Sequence, residues 1–187
     1  MSSTMRVAVL VGSLRKDSIS RKVAHALGAV APDSLKLESV EIGALALYDQ
    51  DLEGAVPPQA WAEFRERIRA VDAVLFVTPE YNRSVPGALK NAIDVGSRPS
   101  GKSAWAGKPA AIVSVSPGAL GAFGANHHLR QSMVFLNMPM MQQPEAYVGH
   151  ATTLFDAHGH LTNDSTREFF TRFMAAFAHW IERNASR

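Results

Sequence analysis

The chain has 187 residues, and its 19 Lys and Arg against 17 Asp and Glu leave a formal charge of +2. A chain of this length is expected to form one domain, residues 1–187, with a substantial core. It contains no cysteine, which excludes disulfides, thiolate metal sites and cysteine nucleophiles, so any redox chemistry requires a bound cofactor.

The charge and hydropathy patterns narrow the expected partners. The net charge is small and no Lys/Arg block is present, so we expect no nucleic-acid partner. No apolar run approaches the ~20 residues of a membrane span, so no membrane partner is expected either. The segment Met1–Thr4 is too short and too polar for a signal peptide. These patterns predict a cytoplasmic protein.

The first half of the chain alternates between buried strands and amphipathic helices. Arg6–Val11 is a nearly continuous β-prone run that ends at a glycine, the pattern of a strand buried on both faces. Apolar residues then recur at helical spacing from Ile19 to Val30, and Ser18 is a plausible N-cap. A second, partly exposed strand is expected over 35–42. A second helix with a buried apolar stripe is expected over 57–71.

The second half repeats this alternation. Ala73–Val77 and Ala110–Val115 are apolar runs typical of buried strands. The remaining expected elements, in chain order, are a helix over 85–93, a polar loop over 96–107, a helix over 129–136, a strand within 138–148 and a long C-terminal helix over 169–181.

Strands that alternate with helices predict an α/β fold with a parallel sheet and helices on both faces. Five strands and five helices in this length fit a flavodoxin-like three-layer sandwich of strand order 2-1-3-4-5. In that fold the ligand lies beyond the carboxyl ends of the strands, where the strand order reverses. The loops 12–20, 78–84 and 115–124 are therefore expected to converge on one crevice.

The first of these loops has the composition of an anion site. Gly12–Ser20 joins a strand to a helix N-terminus, where free backbone N–H groups and the helix dipole favour an anion. Ser13, Ser18 and Ser20 add hydroxyls, and Arg15 adds a guanidinium that can contact phosphate. Neither GxGxxG nor GxxxxGK[ST] is present, so a terminal monophosphate such as that of FMN fits best. The alternative is an ordinary capped helix start with a solvated arginine.

The other two loops suit a planar ligand. Tyr81 and Asn82 follow the third strand, where an aromatic side chain and loop backbone could line a heteroaromatic ring. The alternative is a simple turn built from Pro79 and Asn82. The small residues of 116–121 would let a ring lie flat against the chain, although a flexible loop would have the same composition.

Two segments match a known family. Gly12–Ser18 resembles the GSLRxxS phosphate loop of the NAD(P)H-dependent FMN reductase family, whose bacterial members include quinone and chromate reductases. Pro79–Asn82, followed by Ser84–Asp94, resembles that family's PEYNxSxPGxLKNAID segment. The resemblance covers about residues 5–150 of this chain.

The resemblance implies FMN as cofactor, with NADPH or NADH as reductant, and it assigns binding residues. The FMN phosphate is assigned to Ser13, Arg15, Ser18 and Ser20, one side of the flavin ring to Pro79, Glu80, Tyr81 and Asn82, and its other edge to Ser116 and Gly118. Many members carry Asn where this chain has Ser20, and a small residue where it has Arg83. Members are similar in forming dimers, some of them tetramers, so a homodimer or a homotetramer is expected.

The resemblance also implies a mechanism in which the flavin, not a side chain, is the redox centre. NAD(P)H would pass a hydride to flavin N5, and a quinone, azo compound, chromate or similar small-molecule acceptor would then take the electrons. No catalytic side chain and no metal ligand are assigned. The alternative is a flavodoxin-type FMN electron carrier without its own substrate, which the weak positive charge disfavours because such carriers are strongly acidic. The absence of GxSxG disfavours a hydrolase.

Overall fold

The computed structural model describes residues 4–185. Residues 1–3, part of the segment judged too short for a signal peptide, lie outside this range. The strands are β1 (Met5–Val11), β2 (Leu35–Ser39), β3 (Ala73–Thr78), β4 (Ala110–Val115) and β5 (Ala146–Val148). The helices are α1 (Ile19–Ala29), α2 (Gln59–Arg69), α3 (Gly87–Gly96), α4 (Phe123–Phe135) and α5 (Asp164–Asn184).

The strands form one parallel five-stranded sheet in the order β2-β1-β3-β4-β5, which confirms the predicted topology. Successive side chains of a strand point to opposite faces, so the apolar runs divide between two core layers. In β1, Val7 and Val9 pack in the layer that α1 and α5 cover. Ala8 and Leu10 pack in the layer that α2, α3 and α4 cover. Burial on both faces explains why β1 is apolar at nearly every position.

Several segments differ from the sequence-based expectation. The helix α4 begins at Phe123 rather than at 129, and α5 begins at Asp164 rather than at 169, because the apolar stripe shows only the buried part of each helix.

Two further differences concern β2 and the loop after α3. The strand β2 ends at Ser39 rather than at 42. Val40 and Ile42 lie beyond the strand and are buried in the core layer that α2 and α3 cover. The loop 96–107, expected to be polar, contains the fully buried Trp105. The Trp105 indole N–H donates to the carbonyl of Ile93 at 2.9 Å. A side chain at Gly96 would bring its Cβ within 2.5 Å of that indole, so the α3 terminus packs flat on the ring.

The irregular segment after β2 is held in place by α3. The Asn91 amide donates to the carbonyls of Leu45 at 3.2 Å and Ala46 at 3.0 Å, and it accepts from the Tyr48 N–H at 2.8 Å. One side chain thus satisfies three backbone groups of a loop that lies at the carboxyl edge of the sheet.

Within residues 4–185, no helix combines the length and apolar character that a bilayer crossing requires.

Candidate active site

Three loops meet in an open cavity of about 250 Å³ at the carboxyl ends of β1, β3 and β4. The strand order reverses there between β1 and β3, as predicted for the ligand crevice of a doubly wound sheet. Most of the predicted site residues line this cavity: Ser13, Arg15, Ser18, Ser20, Pro79, Glu80, Tyr81 and Ser116. Asn82 and Gly118 do not line it.

The N-terminus of α1 faces the cavity. Ser18 is the N-cap, as predicted, and its hydroxyl accepts from the Arg21 N–H at 3.2 Å. The first turn carries no acidic residue, so no carboxylate of that turn neutralises the partial positive charge at the helix start. This end of α1 is therefore suited to an anionic ligand.

Hydroxyl and guanidinium donors surround that helix start. Ser13 is 4% exposed and Ser20 is 3% exposed, yet neither hydroxyl hydrogen-bonds another described residue. Arg15 is exposed and forms no salt bridge within the described part of the chain. Every fully enclosed side-chain polar atom in residues 4–185 has a partner, so the two serine hydroxyls open to the cavity. Free donors around a helix N-terminus match the acceptor oxygens of a phosphate, and the residues present fit FMN at this end.

The loop that follows β3, residues 79–84 and called the β3 loop below, contains a tight turn. Tyr81 and Ser84 exchange two backbone hydrogen bonds of 3.0 Å each, and the residues between them, Asn82 and Arg83, have φ of 51° and 64°. A turn is therefore present at Asn82 as predicted, but its other central residue is Arg83 rather than Pro79, and both central residues are left-handed as in a type I′ turn. The Tyr81 backbone is committed to the turn. Hydrogen bonds to a ring would fall to the backbone N–H groups of Glu80 and Asn82.

The loop that follows β4, residues 116–122 and called the β4 loop below, is shaped by buried polar groups that the sequence pattern did not identify. Ser114 and Asn126 are fully buried. The Ser114 hydroxyl donates to the Gly121 carbonyl at 2.7 Å and accepts from the Asn126 amide at 3.2 Å. At the strand end, the Ser116 hydroxyl accepts from the Gly118 N–H at 3.0 Å, closing a short turn. The only hint of this arrangement in the sequence is Ser114, a serine within an otherwise apolar strand.

The two charged side chains of the β3 loop pair with each other, and Glu80 also contacts α4. The Glu80 Oε2 accepts from the Ala125 N–H at 3.0 Å, and the Arg83 guanidinium donates to Glu80 Oε1 at 3.3 Å. The Arg83 side chain remains 75% exposed. The Glu80 carboxylate is thus engaged by the protein itself rather than presented to the crevice.

An aromatic cluster that the sequence analysis did not identify lies beside the β4 loop. Phe123, His127 and Tyr147 pack together, and the His127 Nε2 lies 3.0 Å from the Tyr147 hydroxyl. Burial, with a smaller contribution from the neighbouring Glu145, raises the pKa of Tyr147 to about 12. The phenol therefore keeps its proton at neutral pH.

In residues 4–185, no three His, Asp or Glu side chains are grouped to hold a metal ion.

A doubly wound parallel sheet with a phosphate-type cradle and a turn-lined crevice at its switch point defines a flavodoxin-like mononucleotide-binding protein. Comparison with known families specifies the class further. The family model for NADPH-dependent FMN reductase matches residues 5–153. The chain belongs to this family, and it is an NAD(P)H-dependent FMN oxidoreductase.

Individual relatives agree with this assignment. The chain is similar to a quinone reductase of Pseudomonas putida, with 65% identity over 184 residues and 98% of each chain covered. It is also similar to a 2-hydroxy-1,4-benzoquinone reductase of Burkholderia sp, with 45% identity over 177 residues, covering 95% of this chain and 96% of the other. Among solved structures, FerB, a flavoenzyme NAD(P)H:(acceptor) oxidoreductase from Paracoccus denitrificans, superposes with a TM-score of 0.91 at 41% identity. That match covers 97% of this chain and 100% of FerB.

Proposed function

We propose that this chain is a quinone reductase that passes electrons from NAD(P)H through FMN to a quinone or a similar flat acceptor, with residues 1–187 as one FMN-binding domain. The crevice carries the proposal, since the hydroxyls of Ser13 and Ser20 and the guanidinium of Arg15, which have no partner among residues 4–185, surround a helix N-terminus at the sheet's switch point. The quinone reductase relative at 65% identity supports the acceptor class. Azo compounds and chromate are further acceptor candidates.

We assign the FMN phosphate to the α1 end of the cavity. Ser13, Ser20 and Arg15 are free to donate to phosphate oxygens, and the first-turn N–H groups of α1 add backbone donors. The Ser18 hydroxyl already caps the helix, so its contribution to the phosphate is a second hydrogen bond from the same group.

We assign the flavin ring to the space between the β3 and β4 loops. On one side, Pro79 and Tyr81 line the cavity, and the backbone N–H groups of Glu80 and Asn82 have no hydrogen-bond partner among residues 4–185. On the other side lies the turn of Ser116 and Gly118. When bound, FMN supplies the hydride chemistry that amino-acid side chains cannot perform. The chain's own residues bind the cofactor and orient it, and none is assigned as an acid or a base.

We propose a homodimer that forms across the groove between α3 and α4. A cavity of about 510 Å³ lies there, and at the end of α4 Val134 is 77% exposed and Phe135 is 89% exposed. Adjacent exposed apolar side chains of this size favour a protein contact. Phe135→Glu should yield monomers in analytical ultracentrifugation. Leu47→Glu, at an apolar residue that is 79% exposed elsewhere, should leave the assembly unchanged. The cytoplasmic location and a homotetramer stay predictions.

The test of the proposed function is the absorbance of the purified protein before and after NADPH is added under nitrogen. A yellow protein that bleaches and regains its colour when a benzoquinone is added fits the proposal. Sustained NADPH consumption with a quinone separates the enzyme from a flavodoxin-type carrier, which would show none on its own. A colourless protein that does not bind added FMN would refute the proposal.

A further inference from the structure

The helix α4 has a cap that comes from a distant loop. Its N-cap residue, Ala122, has φ of 61° and no side chain that can accept a hydrogen bond. The Ala125 N–H, at the third helical position, instead donates to the Glu80 carboxylate at 3.0 Å. This N–H is one that an N-cap side chain ordinarily satisfies. A negative charge at this end of a helix is further favoured by the helix dipole.

The contact is close and largely enclosed. The Glu80 side chain is 13% exposed. A Cβ at Gly124 would lie 2.8 Å from the Arg83 carbonyl oxygen and 2.9 Å from Glu80 Oε2, distances that real Cβ atoms do not adopt. Glycine at position 124 therefore allows the β3 loop to approach α4. Arg83 holds the second carboxylate oxygen at 3.3 Å, which orients Glu80 Oε2 towards the helix.

A second contact ties the other end of the same loop to α4. The Ser84 hydroxyl lies 3.0 Å from the His128 Nδ1, about one helical turn beyond the Glu80 contact. Between these two anchors lie Asn82 and Arg83, both with left-handed backbone. Such a conformation is costly for residues other than glycine and persists where the surroundings hold it. The anchored loop is also one of the three that line the crevice.

We propose that Glu80 is a positioning residue: its carboxylate caps α4 and thereby fixes the β3 loop at the distance from the β4 loop that FMN requires. The side chain acts on the flavin through the loop backbone, not by contact with the ring. The inference rests on the proposed function, since it assigns the β3 loop to the flavin ring. It goes beyond that function by identifying a side chain outside the flavin contacts that sets the spacing between the β3 and β4 loops.

The experiment compares two substitutions at Glu80 with a matched control. Glu80→Ala removes the cap, whereas Glu80→Gln keeps an oxygen that can accept from the Ala125 N–H. Asn163→Ala is the control, because the Asn163 side chain caps α5 in the same way by accepting from the Thr166 N–H at 2.9 Å, and Asn163 does not line the crevice. All three variants are prepared as full-length chains.

The first readout is independent of the cofactor. In the FMN-free protein, amide hydrogen exchange at Ala125 should be about fivefold faster or more in Glu80→Ala, the factor that loss of an N-cap produces in a local equilibrium. Glu80→Gln should exchange close to wild type, and Asn163→Ala should leave this amide unchanged. An unaltered Ala125 exchange rate in Glu80→Ala would overturn the capping role, whether or not the chain binds FMN.

The second readout uses the FMN-loaded protein. Glu80→Ala should weaken FMN binding about fivefold and shift the flavin midpoint potential, and Glu80→Gln should restore most of both. Asn163→Ala should lower the melting temperature without changing either value. Equal changes in Asn163→Ala, or an unchanged dissociation constant and potential in Glu80→Ala, would overturn the positioning role. Failure of the wild-type chain to bind FMN would instead refute the proposed function, with the exchange result still standing.

Discussion

Arg15→Ala tests the phosphate end of the crevice directly. Arg15 lines the cavity beside Ser13 and Ser20, is exposed and has no salt-bridge partner within residues 4–185. Its removal therefore breaks no salt bridge and no side-chain hydrogen bond among residues 4–185, and the folded state should be little affected. The expected loss of FMN affinity is that of a charge-assisted hydrogen bond, about 1.5–3 kcal/mol. Solvent competes at an exposed site, so we expect the lower half of that range, an increase in dissociation constant of about 10- to 40-fold.

The assay is fluorescence titration of FMN-free protein, with FMN and riboflavin compared side by side. Riboflavin lacks the phosphate, so Arg15→Ala should leave its dissociation constant unchanged and abolish most of the advantage of FMN. Lys16→Ala is the matched control, because Lys16 is an adjacent exposed cation that does not line the cavity. The FMN deficit should also shrink at high salt, since exposed charges are screened.

Two outcomes would refute this assignment. If Arg15→Ala weakens FMN and riboflavin equally, the residue acts on the ring or on the loop as a whole. If Lys16→Ala costs as much as Arg15→Ala, the effect is one of general positive charge. Either result would remove the phosphate contact from the proposed site.

Two further predictions concern the scaffold. Gly96→Ala should lower the free energy of unfolding in urea by about 1–3 kcal/mol, because its Cβ would lie 2.5 Å from the Trp105 indole. Gly28→Ala is the control: its Cβ would have no atom within 4 Å, so it should raise the free energy of unfolding by about 0.5–1 kcal/mol. The same change in the free energy of unfolding for both variants would contradict the packing of α3 on Trp105. At Asp156, hydrogen bonding from the His160 N–H is the main cause that lowers the pKa of the carboxyl below its usual value. The charged form is thus favoured by folding, so its contribution is present at pH 7 and is lost as the pH falls through the folded-state pKa. Asp156→Asn should melt below wild type at pH 7, with the gap narrowing as the pH falls through the range in which the carboxyl takes up its proton. A gap independent of pH would contradict the assignment.

The secondary-structure elements and their order could be predicted from the sequence because the burial of an element determines the spacing of its apolar residues. A strand covered on both faces is apolar at nearly every position, as β1 and β3 are, and Ser18 combines a capping side chain with the start of a helical repeat. Segments that are buried only through contacts with distant parts of the chain carry no such spacing and could not be predicted in this way. Trp105 lies in a polar stretch and is buried because the terminus of α3 offers it a flat surface at Gly96.

Within the site, the sequence identified which loops meet but not what each side chain does there. Asn91 belongs to the matched family segment, yet its amide holds the loop after β2. Glu80 belongs to the segment assigned to one side of the flavin ring, yet its carboxylate caps α4. Both roles depend on partners about 45 residues away in the chain, and no local pattern encodes such a pairing.

By itself the sequence determined the α/β class, the strand order and the family, because the alternating strand and helix patterns and the two family motifs are visible in the order of residues alone. The absence of cysteine and the small positive charge were consistent with a redox protein whose reactive centre is a bound cofactor. The tertiary structure decided how the crevice is built: which hydroxyls remain free at the helix start, which backbone groups the β3 turn consumes, and which carboxylate supports the loop. Those outcomes depend on distances between segments remote in the chain, and such distances are fixed only when the helices pack against the sheet.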